Sequence, residues 1–173
     1  MKNAMHLKAI IRNIAKEKNI SAQLVMQNFM LERLLERISM SKYQDNFILK
    51  GGFLIASIVG LDTRATMDMD VTIKGLALNE ETLQSMFKVI CEIELNDNVS
   101  FSFYNINEIR EKDEYTGYRI YLTANYPPMA TPLKLDITTG DKITPKEIKY
   151  NFKLLLEDKN ISILAYNLET ILA

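Results

Sequence analysis

The chain has 173 residues, 47% of them apolar and 25% charged, with a formal net charge of −1. This predicts one globular domain with a sizeable core and excludes a disulfide scaffold, since Cys91 stands alone. No apolar run approaches the ~20 residues that cross a bilayer, and the only histidine, His6, leaves little room for a Ser-His-Asp or His-zinc site. The expectation is a cytoplasmic protein, neither exported nor embedded, whose chemistry rests on carboxylates and hard cations.

Residues 1–50 carry nine Lys and Arg against four Asp and Glu, a local excess of +5 suited to an RNA backbone as well as to a solvated helix face. This basic part is also the helical part. Met5, Ile10, Ile11 and Ile14 recur at helical spacing, and a second helix starts at Ser21 as N-cap. It runs through Leu24, Met26, Met30, Leu31, Leu34, Leu35 and Ile38, a stripe expected to face the core.

From Phe47 the period changes. Phe47-Ile48-Leu49 reads as a short buried strand, Gly51-Gly52 breaks it, and Phe53 to Val59 reads as a helix stopped by Gly60. Met67 to Ile73 predicts a strand, and Asn79 caps a helix with Leu83, Met86, Phe87 and Ile90 on its apolar side. Strands follow at Val99 to Tyr104, Tyr118 to Ala124 and Leu133 to Thr138, the last two joined by a loop containing Pro127, Pro128 and Pro132. Tyr150 to Leu156 alternates like an edge strand, Ile161 to Ala165 predicts another, and a helix begins near Asn167. Two helices followed by a mixed unit predict an α+β domain.

Met67-Asp68-Met69-Asp70-Val71 is the informative stretch. Strand alternation sends the apolar residues inward and both aspartates to the opposite face. Two like charges ~6 to 7 Å apart repel by roughly 2 to 3 kcal/mol at an effective dielectric near 20, so something should offset that cost. Leu133-Lys134-Leu135-Asp136-Ile137 has the same parity. If the two strands are neighbours, Asp136 joins Asp68 and Asp70 in a carboxylate cluster able to hold two Mg²⁺ for phosphoryl or nucleotidyl transfer. A bare Asp-x-Asp also occurs on solvated strand faces, and a calcium loop is disfavoured because Val71-Thr72-Ile73 follows Asp70.

Gly51-Gly52, between a strand and a helix, places side-chain-free backbone at a helix N-terminus, where a phosphate can approach closely. A plain tight turn fits the same residues, and no Walker ending follows. Lys50, Arg64 and Thr66 could add charge and hydrogen bonds to phosphate oxygens.

Leu49-Lys50-Gly51-Gly52 followed by Arg64-x-Thr66-x-Asp68-Met69-Asp70 resembles the polymerase-beta-like nucleotidyltransferases, most closely the abortive-infection toxin branch AbiEii/AbiGii, over about residues 20–173. The resemblance implies a polymerase-beta-like core, a mixed sheet with flanking helices, preceded by two N-terminal helices. By its pattern residues 1–45 form an N-terminal helical region packed on the core, 46–166 the nucleotidyltransferase core, and 167–173 the start of a shortened C-terminal helical region. It implies a bacterial type IV toxin that uses Mg²⁺ and a nucleoside triphosphate, with RNA, such as the 3′ end of transfer RNA, as acceptor and a winged-helix antitoxin encoded nearby. Asp68 and Asp70 match the family's metal ligands, Gly51-Gly52 its phosphate turn, Arg64 and Thr66 the residues before its aspartates, and Asp136 the third carboxylate of the wider superfamily. The family continues into a helical region with a functional lysine and an Arg-Asp-x-x-Asp motif, whereas this sequence stops at Leu172-Ala173. The expectation therefore includes a second reading, a catalytically incomplete fragment or binding module that engages nucleotide or antitoxin without transfer.

Overall fold

The computed structural model describes residues 3–62, 68–111, 114–139 and 147–167. Arg64, Thr66 and Met67, and the helix expected beyond Asn167, lie outside the described residues. Helix α1 (Ala4–Lys18) is capped by Asn3 and α2 (Ala22–Met40) by Ser21, whose Oγ accepts from the Leu24 N–H at 3.1 Å. The four-residue strand β1 (Phe47–Lys50) runs directly into α3 (Gly51–Val59), which ends at Gly60 with φ +96°. There follow β2 (Met69–Ile73) and α4 (Glu80–Cys91), capped by Asn79, then β3 (Ser100–Glu111), β4 (Glu114–Tyr126), β5 (Met129–Thr139), β6 (Glu147–Lys153) and β7 (Asn160–Tyr166).

The strands form one mixed sheet in the order β3-β4-β5-β2-β1-β7-β6. Parallel pairs, β2 with β5 and β1 with β7, sit at its centre, and antiparallel hairpins occupy both ends. Apolar residues of all four helices join Leu49, Met69, Val71, Leu133, Leu135 and Ile137 in one cluster on one face of the sheet. By alternation the opposite face carries Lys50, Asp70, Asp136, Thr138, Arg119, Tyr121 and Lys134.

Four expectations are corrected. In α1 the buried stripe is Leu7, Ile11 and Ala15, with Met5 82% exposed, because the face is chosen by packing on α2. The strand begins at Met69, so Asp68 occupies a bend before it. Pro132 lies inside β5 opposite Thr123, not in the connecting loop. Among the described residues β2 joins β5 only from Leu135 onward, so no described strand needs a donor from Pro132 on the side away from β4. Finally, β3 and β4 extend well past the expected Tyr104 and start before Tyr118, with register shifts at Phe103/Asn105 and Ile109/Arg110. Their polar extensions pair with each other, a contact that apolar periodicity does not reveal.

Helix α2 is buried on nearly every side, charged residues included. Arg37 donates from Nε to the Ile93 carbonyl (3.2 Å), from Nη1 to Arg33 O (3.0 Å) and Asp97 Oδ2 (2.9 Å), and from Nη2 to Asp97 Oδ1 (2.9 Å) and Val99 O (2.7 Å). Arg33 contacts Glu36 at 2.6 Å, and Lys159 also pairs with Glu36. Part of the N-terminal basic excess is thus consumed inside the fold and is not available to an RNA backbone.

Glu32 of α2, 3% exposed, accepts the Leu155 N–H on both oxygens and Asn28 Nδ2 at 3.3 Å. Burial pushes its carboxyl up to about 8, against the Leu155 hydrogen bond and the Arg33 charge, which act in the opposite direction. The folded state therefore holds a proton that the unfolded chain releases near its ordinary 4.5. Stability should fall as pH rises between those values, by up to about 1.4 kcal/mol per pH unit. Urea unfolding of the wild type and of Glu32→Gln at pH 5, 6.5 and 8 should show this slope in the former and its flattening in the latter.

Candidate active site

Four adjacent strands place four charged side chains on a single rung. Lys50, the last residue of β1, pairs with Asp70 of β2; Asp70 pairs with Asp136 of β5; Asp136 pairs with Arg119 of β4. Directly opposed residues share a face, so the row reads cation, anion, anion, cation across the sheet. The two carboxylates, far apart in sequence, stand on neighbouring parallel strands.

The cations are not equivalent. Arg119 grips Asp136 with both ends of its fork, Nε to Oδ1 at 2.7 Å and Nη2 to Oδ2 at 3.2 Å, and this pair raises the guanidinium's own pKa. Lys50 donates to Thr138 Oγ1 at 2.7 Å and lies 5.8 Å from the centroid of the Tyr166 ring. Among the described residues Asp70 has no such dedicated partner. Burial raises its pKa most, the Asp136 charge raises it further and Asp68 adds to this, while Lys50 and Arg119 pull the other way.

The glycine turn packs against this carboxylate. Gly51 has φ +76°, and a Cβ built on it would lie 2.3 Å from Asp70 Oδ2. Only glycine permits both the backbone angle and the close approach. Gly52 occupies the first turn of α3, whose N-cap Lys50 makes no side-chain capping hydrogen bond, so the first N–H groups of the helix are left to other acceptors. Gly51→Ala should cost at least the roughly 1–2 kcal/mol of a left-handed non-glycine residue and also displace Asp70. A lowered melting temperature together with weakened nucleotide binding would check both parts.

Asp68, half-buried, stands in the bend before β2 and lines a cavity of about 580 Å³ that opens beside the row. Its charge reaches Asp70, yet among the described residues no three His, Cys, Asp or Glu side chains converge closely enough to hold a metal ion. The structure thus brings together Lys50, Gly51, Asp70 and Asp136, keeps Asp68 at the margin, and leaves Arg64 and Thr66 outside the described residues.

Sequence reasoning missed Arg119, Thr138 and Tyr166. Arg119 was within reach: Pro127 and Pro128 make a two-residue turn that pairs Tyr126 with Met129, and equal steps back along both strands set Arg119 opposite Asp136. No described helix is long and apolar enough to cross a membrane.

Residues 33–173 match the family described as nucleotidyl transferase AbiEii toxin, type IV TA system. Among solved structures, the chain is similar to JHP933 from Helicobacter pylori, with 17% identity and a TM-score of 0.47 over 87% of this chain and 55% of that one. It is also similar to an H. pylori protein named "putative nucleotidyltransferase", with 16% identity and a TM-score of 0.46 over 88% of this chain and 57% of that one. The chain spans little more than half the length of these two structures. No curated protein matches it.

Proposed function

The chain belongs to the AbiEii family of nucleotidyl transferase toxins of type IV toxin–antitoxin systems, and on that premise we propose that it transfers a nucleoside monophosphate from a nucleoside triphosphate to a hydroxyl acceptor, with RNA as the acceptor class and an antitoxin as its genetic partner. The observation that supports this most directly is the contact between Gly51 and the Asp70 carboxylate, which sets a phosphate-accessible helix N-terminus against an acidic pair.

Asp70 and Asp136 offer hard oxygen donors side by side, and Asp70 carries a charge that its surroundings leave under-compensated. That donor chemistry fits Mg²⁺ at Asp70 with Asp68 flanking it, while both oxygens of Asp136 are committed to Arg119. When bound, such an ion would neutralise triphosphate charge and make the acceptor hydroxyl more acidic. The backbone N–H groups at Gly51 and Gly52 and the Lys50 ammonium would hold the triphosphate, with Arg64 and Thr66 as further candidates by family pattern. In the transfer, the acceptor hydroxyl oxygen bonds to the α-phosphorus as the α–β phosphoanhydride breaks. Pyrophosphate leaves with the electron pair, and the hydroxyl proton is released to solvent.

A second reading, nucleotide binding without transfer, is favoured by the Arg119 fork on Asp136, which ties up the third carboxylate. The two part in one assay. RNA incubated with each α-³²P-labelled nucleoside triphosphate and Mg²⁺ should gain label from one or more of them, and lose that gain with a chelator. Metal-dependent nucleotide binding with no label transferred establishes the binding module instead.

A further inference from the structure

The cavity beside the row is lined by Asp68, Gln27 of α2, Tyr104 of β3, Tyr121 of β4, and Pro132 and Lys134 of β5. We infer that it is the acceptor subsite, holding the terminal nucleobase of a single-stranded nucleic acid by stacking and phosphate contact; this rests on the nucleotidyl-transfer reading above.

Position argues for the acceptor over the incoming nucleotide. The Gly51 turn and Lys50 lie on the β1 side of the two carboxylates, whereas Lys134, Tyr121 and Tyr104 lie on successive strands on the far side. In an in-line displacement the attacking oxygen and the departing pyrophosphate occupy opposite sides of the α-phosphorus. If the triphosphate is held at the glycine turn, the hydroxyl must come from the side where the cavity opens.

The lining has the chemistry of a base site. Tyr104 is the extra residue where β3 shifts register between Phe103 and Asn105, and it is 77% exposed. A bulge re-aims a side chain in this way, and an aromatic ring left in solvent offers a stacking face to any base. Tyr121 supplies a second ring, with the Lys134 ammonium 6.0 Å from its centroid. Lys134 itself is exposed, as suits contact with a phosphodiester.

Fluorescence anisotropy of labelled hexanucleotides of rA, rC and rU on the full chain tests this. All three should bind, since stacking and phosphate contact tolerate any base. Tyr104→Ala should weaken all three about tenfold, as loss of one stacked base does. Lys134→Ala should also weaken all three and make their binding less dependent on salt. Both variants should bind a fluorescent ATP analogue with Mg²⁺ as the wild type does. Unchanged RNA affinity in both variants overturns the subsite while leaving the transfer reading intact. Loss of ATP-analogue binding in Tyr104→Ala, with RNA affinity unchanged, overturns it too, by placing the incoming base there. Failure of the transfer reading has a separate signature: no metal-dependent binding of the ATP analogue by the wild type.

Discussion

Asp70→Asn should abolish Mg²⁺-dependent nucleotide binding and reduce transfer roughly a thousandfold or more, while leaving the protein at least as stable as before. The functional half follows from placement: Asp70 is the carboxylate in contact with the Gly51 turn and, among the described residues, not gripped by an arginine, and an amide in its place cannot provide a second anionic oxygen. The stability half follows from sign. Burial and the charges of Asp136 and Asp68 raise the folded pKa of Asp70, so the folded state favours its neutral form. Its charge therefore opposes folding at neutral pH, and the penalty shrinks as pH falls from the raised folded value towards the ordinary carboxylate value, where it is nearly gone. Asparagine removes that penalty. Nucleotide titrations beside thermal melts at pH 7 and pH 4 separate the halves, with any stabilisation expected at pH 7 and absent at pH 4. A variant that binds nucleotide normally and melts lower would make Asp70 a structural residue and overturn the assignment.

Arg37→Met should be the most damaging single change away from the site. Methionine can fill the aliphatic part of the space, but it leaves the Asp97 carboxylate and the Ile93, Arg33 and Val99 carbonyls without their donor. It also removes the guanidinium from the face of Phe101, 4.9 Å from the ring centroid. Breaking one half of a buried ion pair costs about 3–5 kcal/mol. For a domain of this length that corresponds to a melting temperature lower by roughly 10–15 °C. Adding Asp97→Asn to Arg37→Met should restore part of the loss, because the orphaned charge is then gone. Additive losses in the double variant would mean that the two residues act independently.

These two residues also mark where the sequence is readable and where it is not. Ser21 and Asn79 were legible as caps because capping depends on chemistry within one helical turn. The parity of Asp70 and Asp136 was legible because strand alternation is local, and their adjacency needed only that the two strands be neighbours. Arg37 was not legible: a lone arginine on a helix reads as solvated until the loop carrying Asp97 is known to fold over it. Tyr104 was hidden for a related reason, since a bulge is defined by the partner strand's register and leaves no mark in its own alternation. The stripe of α1 was misplaced because Met5 and Leu7 are equally apolar in sequence and only α2 distinguishes them.

The two outermost strands carry a consequence for behaviour at high copy number. A sheet that ends in straight, apolar strands invites a second molecule to continue it, and such growth leads to insoluble assemblies. Here β3 is interrupted at two places and bears Asn105, Asn107, Glu108 and Arg110 along its length, while β6 presents Lys149 and Lys153. The register shifts and charged side chains of β3 and the two lysines of β6 make both borders poor templates for such growth.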